Sequence, residues 1–218
     1  MPEPVTLLAL GSGLTGLAAH LARRYFETAK EVVDIVLGFV ALVLSLPLLA
    51  ICAVIIKLSG KGPVFFTQLR MGKGAKPFRM YKLRTMYSDA ESRSGAVWAK
   101  NNDPRVMSAC RWMRRSHVDE LPQLINVVMG NMSLVGPRPE RPEIMTELEK
   151  VYPDIHKRLS VRPGITGLAQ IRRGYDTTIE AVKHKLEADL QYISNRKWST
   201  ELRIMAATLT KLNDKGAR

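Results

Sequence analysis

The 218 residues carry 33 Lys plus Arg against 20 Asp plus Glu, a formal net charge of +13. That length lets one domain bury a core unaided, and two cysteines, Cys52 and Cys110, are too few for a disulfide scaffold or a zinc knuckle. The charge calls for an anionic partner; an aromatic content of 6% disfavours nucleic acid gripped by base stacking and leaves anionic lipid and phosphorylated small molecules.

The chain opens on an apolar stretch rich in small residues, where Gly11, Gly13 and Gly16 match GxGxxG. A dinucleotide turn would need alternating strands and helices behind it, but the next element is a membrane segment. Residues 1–30 therefore read as an apolar helix touching the membrane, and with no basic region ahead of it the stretch does not read as a cleaved signal peptide. From Ile35 to Ile56 the chain is free of charge and long enough to cross a hydrocarbon core of about 30 Å. Pro47, near its middle, removes a backbone donor, and Ser45 is placed to satisfy a freed group. Arg23, Arg24 and Lys30 precede the segment, and Lys57, Lys61 and Arg70 follow it. A spanning helix carries its positive charge mainly on the cytoplasmic side, so this symmetry favours a re-entrant hairpin over residues 31–59, broken at Ser45 and Pro47, with a kinked span as the alternative.

Residues 60–218 turn polar and basic and read as one catalytic unit. The runs PVFFTQ and FRMYKLRTM, separated by Gly72 and Gly74 after an earlier turn at Gly62, read as strands or extended loops joined by turns. From about Pro104 helical periodicity takes over, ending in an amphipathic region from Thr178 to Lys211 suited to a membrane interface. The expected fold class is α+β, mostly helical.

Two adjacent carboxylates, Asp119 and Glu120, precede Pro122 at a predicted helix start, where backbone N–H groups and the helix dipole favour carboxylates and phosphate alike. Taken alone such a pair is ordinary capping. Arg114 and Arg115 stand upstream, Arg138 lies between prolines in SLVGPRPERP, and Arg162 opens RPGITG. Arginines suit phosphate oxygens, and together with the carboxylates they suggest a diphosphate pocket.

KLRTM (Lys82 to Met86), DPRV (Asp103 to Val106), DELPQL (Asp119 to Leu124), GNMSLVGPRP (Gly130 to Pro139) and RPGITGLAQI (Arg162 to Ile171) resemble, in order and spacing, the bacterial sugar transferases called monotopic phosphoglycosyl transferases. The resemblance covers roughly residues 31 to 212. It implies transfer of a sugar-phosphate from a UDP-sugar to polyprenyl phosphate at the bacterial inner membrane, catalysed on the cytoplasmic face. Asp119 would be the nucleophile, forming a phosphosugar ester as UMP leaves, and Glu120 would hold Mg²⁺. Lys82, Arg84, Arg114, Arg138 and Arg162 would meet the diphosphate or the acceptor phosphate. His117 is a weak catalytic candidate, because an ionised phosphate acceptor needs no general base. Leu83, His117 and Val118 depart from residues common in the family, and its C-terminal Asp-Leu pair stands here as Glu201 and Leu202. Two rival readings are a basic membrane scaffold without activity and a nucleotide-dependent oxidoreductase built on the N-terminal glycines.

Overall fold

The computed structural model describes residues 4–88, 103–172 and 179–211. One helix, α1 (Pro4–Ser59), takes up 56 residues. Gly11, Gly13 and Gly16 lie inside it, so they form no strand-to-helix turn and give the oxidoreductase reading no support. The helix also runs on through Pro47 instead of parting there. Ser45 Oγ donates to Leu42 O at 2.7 Å, one residue short of the Val43 carbonyl that the proline frees.

Along α1, Lys30, Asp34, Gly38, Ser45, Leu49, Cys52 and Ile56 recur at steps of three, four and once seven residues, with half-buried Leu42 in the longer gap, and form one buried stripe. The rest of the circumference is just as apolar but uncovered: Val36, Phe39, Leu44, Ile51 and Val54 are all exposed. Water penalises such a surface, whereas lipid does not, and Leu17–Ser59 is long and apolar enough to cross a membrane. The protein is membrane-associated through this helix.

After α1 comes an antiparallel hairpin of β1 (Phe65–Met71) and β2 (Pro77–Leu83), in register from Phe65 opposite Leu83 to Met71 opposite Pro77. A short helix, α2 (Arg111–Arg115), then leads through a 3₁₀ turn, Val118–Glu120, into α3 (Gln123–Val128). Leu49, Cys52 and Ile56 of α1 form a core with Leu83, Met107, Cys110 and Met113. Farther up the helix, α3 presses so close that a Cβ on Gly38 would sit 2.9 Å from Val127 Cγ1. Asn126, fully buried in α3, accepts from the Tyr81 amide at 3.0 Å and donates to Arg79 O at 2.8 Å, which locks α3 to β2.

A second, parallel pair joins β3 (Ser133–Val135) to β4 (Gly164–Thr166). Here backbone meets backbone: a Cβ on Gly164 would lie 2.0 Å from Gly136 N, so this position admits glycine alone. Helices α4 (Pro142–Val151), α5 (Leu168–Arg172), α6 (Ile179–Ser194) and α7 (Trp198–Lys211) complete the described architecture, which is α+β and mostly helical. Thr178, the expected start of the amphipathic region, lies outside the described residues.

The upper part of the α1 stripe is polar and fully engaged. Lys30 Nζ lies 3.0 Å from Asp34 Oδ2 and 2.9 Å from Glu201 Oε2, and Ser133 Oγ is 2.6 Å from Asp34 Oδ2. The Tyr192 hydroxyl sits between Glu201 Oε1 at 2.8 Å and Val135 O at 2.9 Å. Glu201 thus joins three elements inside the protein.

Candidate active site

The DELPQL segment puts both carboxylates in the 3₁₀ turn ahead of α3, not in the helix itself. His117, the residue before that turn, takes a left-handed conformation (φ 56°) that swings the chain into it. No side chain caps α3. What holds the pair is tertiary: Lys82 Nζ lies 2.8 Å from Glu120 Oε1, and Arg138 reaches both Glu120 oxygens, Nη2 to Oε1 at 2.5 Å and Nη1 to Oε2 at 3.1 Å. The two carboxylates share a neighbourhood but not a protonation state. Burial raises both, yet Arg138 and Lys82 overcome it at Glu120 and hold that carboxyl well below the usual range. Asp119 lacks such contacts: burial first, then the Glu120 charge, pushes it up to about 6. Its Oδ1 is buried without a hydrogen-bond partner. Burial also lowers the Lys82 and His117 pKa values, with Glu120 opposing in each case.

Lys82, Arg84, Arg114, Asp119, Glu120 and Arg138 all line a single cavity of about 660 Å³. The sequence motifs group these residues, and the fold brings them together. Their tasks differ, however. Arg114 donates to Thr85 Oγ1 at 3.3 Å from the cavity wall. Arg84 spends its guanidinium on the chain leaving α1, donating to Gly60 O at 2.9 Å and to Lys61 O. Arg162 is not brought to the cavity; it pairs with Glu31 of α1, Nη2 to Oε1 at 2.5 Å. The RPGITG motif instead buttresses the loop that carries Arg138, with Gly164 N donating to Pro137 O at 2.9 Å and Gly136 N to Thr166 O at 2.8 Å. Asp103 of DPRV holds Arg105 in a two-pronged contact, and Arg105 also lines the cavity.

Residues that sequence reasoning misses hold the same loop from its other side. Arg70 Nη1 donates to Pro139 O at 3.0 Å, and Arg158, buried against Asp189 at 2.6 Å, donates to Arg138 O at 3.0 Å. The sequence marks Arg70 only as a flanking charge, and no spacing links Arg158 with Asp189.

Magnesium binds through one or two carboxylates together with phosphate oxygens of the substrate. The donor set fits: Asp119 Oδ1 is unpartnered, Glu120 is held as an anion, and both face a cavity rich in cations that suits phosphate. Among the described residues no group of three His, Cys, Asp or Glu gathers as it would for a cation held wholly by protein.

The family model described as bacterial sugar transferase matches residues 25–215, and the chain belongs to that family. It is 40% identical over 203 residues to a UDP-N-acetylgalactosamine-undecaprenyl-phosphate N-acetylgalactosaminephosphotransferase of Aeromonas hydrophila, covering 93% of this chain and 48% of that one. A UDP-glucose:undecaprenyl-phosphate glucose-1-phosphate transferase of Caulobacter vibrioides is 39% identical over 194 residues, 88% of this chain and 72% of the relative. An exopolysaccharide production protein of Rhizobium leguminosarum is 38% identical over 185 residues, 83% and 92% of the respective chains. The chain thus spans about half the length of the Aeromonas relative and most of the Rhizobium one.

Proposed function

We propose that this protein transfers a sugar-1-phosphate from a UDP-sugar to undecaprenyl phosphate, releasing UMP and forming a polyprenyl-diphosphate-sugar. The observation that carries the reading is Asp119, a buried carboxyl with an unpartnered oxygen in a cavity lined by Lys82, Arg114 and Arg138. The names of the Aeromonas and Caulobacter relatives support the substrate class. A scaffold without activity would have no use for a carboxyl left buried and unpaired.

In the first step Asp119 attacks the phosphorus that bears the sugar. A carboxylate O–P bond forms, the bridging P–O bond breaks, and UMP leaves with the electron pair. In the second step an oxygen of the lipid phosphate attacks the same phosphorus and returns Asp119 as a carboxylate. Splitting one displacement into two is what covalent catalysis offers, and an acceptor already ionised needs no base. Arg138 and Lys82 keep Glu120 ionised, and with Arg114 they set positive charge where the diphosphate gathers negative charge. Glu120 would hold Mg²⁺, which when bound would supply further neutralisation of phosphate charge.

On this reading the chain sits in the bacterial cytoplasmic membrane with its cavity on the cytoplasmic face, starting a polysaccharide or glycoconjugate. Re-entry over residues 31–59 is supported by the basic residues on both flanks, and it would require α1, continuous through Pro47 here, to bend sharply at that proline. Trp198, Leu202 and Leu209, exposed along α7, suit a helix lying in the interface. The test is UMP release by detergent-purified protein given Mg²⁺, polyprenyl phosphate and a panel of UDP-sugars. Release with one donor, lost in Asp119→Asn and on chelation, is expected; no release from any donor would overturn the reading.

A further inference from the structure

The cavity has two unlike ends, and strand β1 is the wall that joins them. Phe66, Gln68 and Arg70 alternate onto the cavity side, spanning about 13 Å at about 3.3 Å per residue. Beyond Arg70 the cavity is enclosed by α4 and α6, where Arg158 and Lys185 stand among aliphatic side chains. The other end begins directly after the membrane helix.

There Pro63, Phe65 and Phe66 line the cavity, and the two phenylalanines are 48% and 41% exposed. They follow Leu58, the last apolar residue of α1, which is 84% exposed. The link between helix and strand is pinned: Arg84 grips the Gly60 and Lys61 carbonyls through its side chain, and its amide donates to Val64 O at 2.8 Å. The start of β1 is therefore fixed to the end of the membrane segment. Phe66 pairs across the hairpin with Lys82, whose Nζ meets Glu120. One cross-strand step separates an exposed apolar rim from the charges of the site.

We infer that this rim is the seat of the lipid acceptor's tail: the first isoprene units lie over Pro63, Phe65 and Phe66 while the phosphate reaches past Lys82 towards Asp119. The inference rests on the proposed function and adds which wall each substrate uses. Of the two substrates only the lipid phosphate has an apolar chain and arrives from the bilayer. A nucleotide sugar has no such chain, and its nucleoside takes the α4 and α6 end, where cations and aliphatic groups mix. Donor and acceptor thus approach Asp119 from opposite ends of one cavity.

The experiment uses the full chain in lipid nanodiscs and a prenyl phosphate bearing a photoreactive diazirine on its second isoprene unit, with labelled peptides mapped after irradiation. Labelling within residues 63–69 is expected; labelling of α4 or α6 instead would overturn the assignment. This readout needs no turnover, so it stands apart from a failure of the transferase reading. Phe66→Ser supplies the kinetic arm, since an exposed side chain can be exchanged without unfolding the protein. The KM for undecaprenyl phosphate should rise about tenfold, with the KM for the UDP-sugar unchanged. An unchanged acceptor KM, or an equal rise for both substrates, would refute the rim.

Discussion

Asp119→Asn should abolish turnover and yet stabilise the protein. A carboxyl that ionises near 3.8 when exposed and at about 6 in the fold favours folding only when protonated. Above pH 6 the folded state carries the full cost of a buried charge, about 3 kcal/mol from that gap at about 1.4 kcal/mol per pH unit. Asparagine keeps the shape and never ionises, so the variant escapes the cost. At pH 8 its Tm should exceed that of the wild type by roughly 6–12 °C for a chain of this size. The sign follows from the raised pKa: the gain should shrink to about half at pH 5, where only the unfolded carboxyl is ionised, and vanish below about pH 4. Thermal unfolding by intrinsic fluorescence, in detergent with chelator and without substrate, reads this directly. A variant no more stable than the wild type at pH 8, or a gain equal at pH 4 and pH 8, would refute the account of Asp119 as a carboxyl charged at the expense of stability.

Glu120→Gln should do the reverse, because it leaves Lys82 and Arg138 without their anion; a loss of about 3–5 kcal/mol in urea unfolding is expected together with lost UMP release. In the wild type, kcat/KM for the nucleotide sugar should fall tenfold per pH unit below about 6 as Asp119 takes up its proton, which a donor-titration series from pH 5 to 8 would follow. Arg138→Lys cannot reproduce the two-pronged hold on Glu120 and should cost about a hundredfold in kcat, while Arg162→Gln, removed from the cavity, should stay within about twofold of wild type in the same assay. Gly164→Ala must push apart backbones already in contact and should destabilise the chain by about 1–3 kcal/mol, seen as a lower Tm.

Much of the site is legible without the fold, because its charges travel in short motifs that the chain folds around one cavity. Asp119, Glu120, Lys82, Arg114 and Arg138 belong to that group. The membrane helix is equally plain from its uncharged run, though its unbroken course through Pro47 is not, since a helix can continue past one missing donor when the surrounding turns remain bonded. Arg162 misleads because a phosphate-binding arginine and a structural one look alike in a loop; only the fold puts Glu31 opposite it, more than a hundred residues away. Glu201 shows no task in the sequence, and only the fold reveals it buried against Lys30 and Tyr192. Contacts made across such separations leave no local pattern, which is why Arg70, Arg158 and Asp189 escape notice in the sequence.

The buried tie between Lys30, Asp34, Ser133 and Glu201 alters what an anchor means in this protein. Cutting the chain ahead of residue 60 would strip Glu201 of Lys30 and Ser133 of the Asp34 carboxylate, and would uncover the wall where Leu83, Met107 and Met113 pack on the helix. A chain trimmed for solubility would therefore lose a working part of the fold, not a tether. Helix and catalytic body should melt in a single transition, and any force the bilayer exerts on the helix reaches, through Ser133, the strand that ends beside the Arg138 loop.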